Sequence, residues 1–146
     1  MPRLPDQLPA ACAAPLDTRS VALPGMTAAV GRLLAEACGG VDVFAVVRTR
    51  TKADVGEWFR NGRVWACATA TDLVLLAAGR IPFVQRTPFG RLQESVYNHI
   101  TGELVLAPGR ELRVNRVRVT ELDGYQLLAQ IRRESNSNRN RVEQHA

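Results

Sequence analysis

Lysine is nearly absent from this chain. Lys52 is the single lysine among 19 basic residues, so the net charge of +5 rests on arginine. The planar arginine fork suits carboxylates, phosphates and aromatic faces. An Ala- and Arg-rich, Lys-poor composition also follows from GC-rich coding, so a bacterial source is expected and the bias alone marks no site. Aromatic residues make up 5% of the chain. Arg113 and the arginines of the C-terminal tail have no aromatic company of the kind that a sheet face reading bases requires, which ranks nucleic acid last among candidate partners. Cysteine is scarce and odd in number. Cys12, Cys38 and Cys67 lie at wide, irregular gaps that match neither a disulfide framework nor paired zinc ligands, which favours a reducing compartment.

Long apolar runs are missing as well. The opening MPRLPDQLPAACAAPL is broken by Pro2, Pro5, Pro9 and Pro15, so it lacks the apolar core of a signal peptide, and no stretch reaches membrane-spanning length. A cytoplasmic protein is expected. Chemistry-bearing motifs are equally scarce: there is no G-x-S-x-G elbow, and Gly39-Gly40 is not followed by the Lys-Ser or Lys-Thr of a phosphate loop. His99 reads as a turn residue, with Glu94 and Ser95 near it in sequence but no positioned nucleophile, and His145 falls in the tail. Cys67, between alanines in a strand, reads as a packed core thiol with no cationic neighbour in sequence to activate it. No catalytic residue, metal site or cofactor is expected.

What is present is a chain of 146 residues, 46% of them hydrophobic, enough for one domain with one core. Residues 1–25 are proline-punctuated and read as an extended arm. A helix is expected over 27–38, capped by Thr27, with Val30, Leu33, Leu34 and Ala37 at helical spacing and Gly39-Gly40 as its stop. From Val41 the period changes. Val41, Val43, Ala45 and Val47 share one parity of a strand, and Phe44, Val46, Arg48 and Arg50 share the other. After a connection over 52–62 ending in Asn61-Gly62, strands are expected at about 63–70, 73–78, 82–87, 92–98, 103–106 and 111–117, with a change of parity at Asn115-Arg116. Such close spacing leaves no room for crossover helices and predicts antiparallel pairing. A helix over about 120–134 follows, capped by Thr120, with Leu122, Tyr125, Leu128 and Ile131 or Leu127 as its apolar face. The sequence SNSNRNRVEQHA, within the 135–146 tail, has nothing to bury and reads as disordered. The domain proper is therefore 26–134.

Two stretches give this pattern a family likeness. ATATDLVLLAAG at 68–79 is a strand, a short Thr-Asp turn and a second strand, and ELRVNRVRVTELDGYQLLAQI at 111–131 leads from a strand into an amphipathic helix. With about seven strands before that helix, residues 42–134 resemble the bacterial pleckstrin-homology-like domains. The resemblance implies a mainly β fold, a barrel of about seven antiparallel strands capped by a C-terminal helix, here with a short extra N-terminal helix. It also implies a non-catalytic module that binds a protein or peptide or associates with its own copies.

Pleckstrin-homology domains that bind phosphoinositides use basic residues around their first strand connection, so the resemblance points to that place. Arg48, Arg50 and Lys52 alternate on one face of an extended segment, and Arg60 and Arg63 return beyond the connection. These five residues are the candidate anionic-ligand site. Trp58 and Phe59, in the same connection, are the candidate partner anchors. An anionic membrane surface is the alternative partner, and an enzyme with a dispersed site ranks below it.

Overall fold

The computed structural model describes the backbone of residues 23–57 and 61–145, with side chains as far as residue 133. Residues 1–22 of the arm (Cys12 among them), Trp58, Phe59, Arg60 and the side chains of the tail lie outside the described residues.

Helix α1 spans Ala28–Cys38. The Thr27 hydroxyl accepts from the Val30 amide at 3.2 Å, satisfying one of the donors that a helix start leaves without a partner. The helix ends at Gly39, and Gly40 follows at φ +85°, a conformation that glycine adopts without steric cost. Strands β1 (Val43–Ala53), β2 (Gly62–Thr69), β3 (Asp72–Ala77) and β4 (Phe83–Pro88) form one antiparallel sheet in chain order. The β2–β3 turn expected at Thr71-Asp72 is closed by a side chain: Thr69 Oγ1 accepts from the amides of Thr71 (3.2 Å) and Asp72 (2.9 Å) and donates to the Asp72 carbonyl. Strands β5 (Val96–Asn98), β6 (Glu103–Val105) and β7 (Arg116–Arg118) form a second antiparallel sheet. Helix α2, Glu121–His145, closes the order.

The two sheets enclose the main core. Val64, Ala66, Leu73, Leu75 and Phe83 from the four-stranded sheet meet Leu104 and Val117 from the three-stranded sheet and Leu127, Leu128 and Ile131 from α2. A second apolar layer lies on the other side of the large sheet, where α1 sets Val30, Leu33, Leu34 and Cys38 against Val43, Trp65, Cys67, Val74 and Leu76. An antiparallel sheet with one wet face alternates apolar and polar residues. Here Val64–Thr69 and Leu73–Ala77 are buried throughout, because both of their faces are covered.

Several expectations are corrected. The predicted single parity of Val43, Ala45 and Val47 is broken by a register shift between Val43 and Ala45. Val43 therefore faces α1 while Ala45 and Val47 join the inner core, as an extra residue in one strand requires. The strand expected over 92–98 is confined to Val96–Asn98 and is preceded by a 3-10 turn at Phe89–Arg91. The strand expected over 111–117 begins only at Arg116, beside the parity change. On α2, Leu122 is 69% and Tyr125 47% exposed. The buried face is instead Gly124, Leu127, Leu128 and Ile131, an i, i+3, i+4, i+7 stripe. Gly124 allows this rotation. A Cβ there would run into the ring of Tyr97, so the helix meets β5 by backbone rather than through Leu122. The helix backbone also continues past the expected end near 134, to His145, a total length of about 37 Å at 1.5 Å per residue.

The two ladders are separate, so the closed barrel expected from the sequence is not formed by continuous backbone pairing among the described residues. Side chains link them instead. Thr51 Oγ1 in β1 accepts from the Arg118 amide in β7 at 2.7 Å. At the other end of the large sheet, the Gln85 amide group of β4 donates to the Val114 carbonyl at 2.8 Å and accepts from the Val114 N–H at 3.0 Å.

Candidate anionic-ligand cleft

The Gln85 bridge defines a hollow. β4 is the last strand of its sheet, and the connection from β6 to β7, residues 106–115, passes along its free side. Gln85 reaches across with both halves of its amide, standing in for the backbone of a neighbouring strand. The 3-10 turn and the residues after it form an end wall, which is held to the connection by two hydrogen bonds. The Glu94 amide donates to the Ala107 carbonyl at 3.1 Å, and the Ala107 amide donates to Ser95 Oγ at 3.0 Å. The result is a cleft of about 760 Å³, within the size range of ligand sites.

Arginines dominate its charge. Arg86 from β4, Arg91 from the end wall, and Arg110 and Arg113 from the connection all line it, against Glu94 and Glu111, while Val84, Pro108 and Leu112 supply apolar surface. Two of the four guanidinium groups are held in place. Arg86 pairs with Asp72 at 3.2 Å and also donates to the Ala37 carbonyl at the end of α1. Arg113 lies over the Phe83 ring, 4.8 Å from its centroid, a cation–π contact that orients the planar group. The Arg91–Glu111 pair is long at 4.0 Å, and both side chains are more than two-thirds exposed, so it restrains neither partner strongly. Chemically the cleft can offer planar, multidentate donors to carboxylate or phosphate oxygens beside an apolar strip.

The residues singled out in the sequence lie elsewhere. Arg48, Arg50 and Lys52 are exposed on β1, alternating with the more buried Thr49 and Thr51, on an open strand face. Arg63 is half-buried, and its guanidinium donates to the Thr49 carbonyl at 3.1 Å. Arg48 and Arg63 meet in a second hollow, of about 470 Å³, beside the start of α1, where Arg48 packs so closely on Gly25 that a Cβ there would stand 2.6 Å from the guanidinium carbon. Arg50 and Lys52 do not line it. Arg60 and the candidate anchors Trp58 and Phe59 lie outside the described residues. His99 is exposed in the β5–β6 turn, whereas Ser95 is buried and its hydroxyl is engaged by Ala107. Among the described residues no group of three or more His, Cys, Asp or Glu could hold a metal ion, and no helix is long and apolar enough to cross a membrane.

Sequence reasoning missed the cleft because its parts come from three separated segments. The run RELRVNRVR at 110–118 was the available signal: three of its arginines alternate with apolar residues, and the run is as basic as RTRTK at 48–52. Compared with known families, curated proteins and solved structures, the chain matches none, so its own geometry carries the functional argument.

Proposed function

We propose that this chain is a non-catalytic, pleckstrin-homology-like binding module that docks an acidic, extended segment of a partner protein in the arginine-lined cleft along β4. The cleft carries the reading. It combines concavity, the last strand of a sheet and four arginines in one place, whereas of the β1 cations Arg48 alone lines a hollow and Arg50 and Lys52 stand on an open face. An extended peptide laid beside an edge strand gains backbone hydrogen bonds, and its alternate side chains would set acidic groups against Arg110 and Arg113. Support for the family likeness comes from the arrangement itself, four strands then three strands in two antiparallel sheets with a helix after the last strand. The free thiols Cys38 and Cys67 fit a reducing, cytoplasmic setting.

The test is fluorescence anisotropy with a labelled, Asp/Glu-rich peptide of strand-forming composition, at two salt concentrations. Saturable binding that weakens with salt is expected, with Arg110→Gln/Arg113→Gln losing roughly tenfold or more, the equivalent of about 1.4 kcal/mol. Equal binding by the double variant and the parent would overturn the cleft as the site.

A membrane-surface reading is favoured by one observation, the shared exposure of Arg48, Arg50 and Lys52 on β1. It would be supported instead if vesicles containing phosphatidylserine bound the parent and not Arg48→Gln/Arg50→Gln/Lys52→Gln.

A further inference from the structure

Cys38 and Cys67 are far apart in sequence and come from different elements, yet the fold brings them together. Three features place them. Gly39-Gly40 stops α1 immediately after Cys38. Arg86 of β4 donates to the Ala37 carbonyl, which holds the last turn of the helix over the sheet. The strand registers align Val46, Cys67, Val74 and Arg86 as one row across the α1-facing side. Cys38 packs with Cys67 in the same buried layer between α1 and the sheet. Both thiols are fully buried in the layer between α1 and the sheet.

The pair is electrostatically unequal. Cys67 donates its hydrogen bond to Cys38, and together with the positive charge of Arg86 this brings the Cys38 thiol from 9.0 down to about 7, against the opposing effect of burial. Cys67, as the donor and through burial, is pushed well up. Cys38 therefore gives up its proton more readily than Cys67. A pair of inert space-filling residues has no need of that asymmetry, whereas oxidation of a dithiol uses it, because the thiolate is the nucleophile and the second thiol resolves the product.

We propose that Cys38 and Cys67 are a reversible disulfide site, oxidised by a small hydroperoxide, whose closure covalently joins the end of α1 to the middle of β2. In the first step the Cys38 thiolate attacks the peroxide. An S–O bond forms, the O–O bond breaks, and the departing alkoxide or hydroxide takes up a proton as alcohol or water. In the second step the Cys67 sulfur attacks the Cys38 sulfenic acid. The S–S bond forms, the S–O bond breaks, and hydroxide leaves with the Cys67 proton as water. Across both steps the two thiols lose two electrons and two protons, and the peroxide is reduced to alcohol or water plus water. A small dithiol reverses the change by thiol–disulfide exchange. Both sulfurs are buried, so the folded chain reacts more slowly than the denatured chain.

The experiment uses the full chain carrying Cys12→Ser, treated with hydrogen peroxide, then alkylated in denaturant and weighed intact. Wild type with peptide mapping serves equally should that variant fail to fold. The expected result is loss of both alkylation sites, a mass lower by two hydrogens, a mapped Cys38–Cys67 cross-link, and recovery of both sites after dithiothreitol. The oxidised protein should melt at a higher temperature than the reduced one. In Cys67→Ser, dimedone should trap a sulfenic acid on Cys38. Intermolecular dimers alone, sulfinic and sulfonic acids without a cross-link, or two alkylatable thiols after peroxide exposure that oxidises the denatured chain would each overturn the proposal.

Discussion

The two sides of the four-stranded sheet are covered in different ways. The inner side faces the second sheet and α2, and from Val64 to Phe83 it meets apolar side chains along its length. The outer side is covered by α1, a helix of 11 residues, which packs on part of its area. Under the helix the outer residues are Trp65, Cys67, Val74 and Leu76. At its margins they give way to Arg48, Arg50 and Lys52 on β1 and Arg86 on β4. Arginine thus begins where the helical cover ends. The inner side carries the larger core, and the outer side carries a smaller one edged by exposed arginines.

The comparison is tested most severely from the inside. Leu127→Ala or Ile131→Ala removes a fully buried side chain from the junction of α2 with both sheets, and should cost about 2–5 kcal/mol in urea unfolding. Leu122→Ala, on the exposed side of the same helix, should stay within about 0.5 kcal/mol. A larger loss at Leu122 than at Leu127 would reverse the assignment of the helix face.

Gly124→Ala is a finer test. A buried methyl there collides with Tyr97, whose ring is fixed by a hydrogen bond to the Val119 carbonyl and by Tyr125, 5.1 Å away. Overpacking of this kind costs about 1–3 kcal/mol, whereas alanine's helix propensity returns at most about 1 kcal/mol. Net destabilisation is expected, relieved by Tyr97→Ala in the same chain. Gln85→Ala, at the junction of the sheets, leaves the Val114 amide and carbonyl without this partner and should cost about 1–3 kcal/mol.

On the outer side, pH should act through the thiol pair. In the folded state Cys38 titrates at about 7 instead of 9.0, and Cys67 well above 9.0. Between those two values for Cys38 the unfolded chain holds more protons than the folded one, so the stability of the reduced protein should rise from pH 7 towards 9. Above 9 the sign reverses, because Cys67 retains its proton only when folded. Denaturant midpoints of the parent and of Cys38→Ser across this range would reveal the pair as the difference between the two profiles. The smallest effect is expected from Arg48→Gln/Arg50→Gln/Lys52→Gln, whose solvated charges contribute little to folding. An unchanged melting temperature is the expected reading.

The fold was largely legible where local chemistry decides it. Thr27 and Gly39-Gly40 bound α1, Thr71-Asp72 marks the β2–β3 turn, and the close spacing of the strands gives their antiparallel pairing. It was illegible where one distant contact overrides the local pattern. The apolar periodicity of α2 permits a face through Leu122 or one through Leu127, and the close approach of Tyr97 at Gly124 decides between them. The bulge near Val43 swaps sides without any glycine or proline to announce it. The cleft was hidden for the same reason. Gln85 and Val114 are 29 residues apart, and nothing in either segment alone marks them as partners.

That bridge has a consequence for how the sheet edge is protected. A bare edge strand invites pairing with any passing chain. Here one side chain occupies the middle of the edge with a donor and an acceptor of its own, as a cork fills a bottleneck. Any segment that pairs fully along β4 has to displace Gln85 from Val114 and offer both groups a replacement. On the proposed reading, only chains that bring acidic contacts to Arg110 and Arg113 would make that exchange favourable, so the glutamine that shapes the cleft would also limit indiscriminate strand addition.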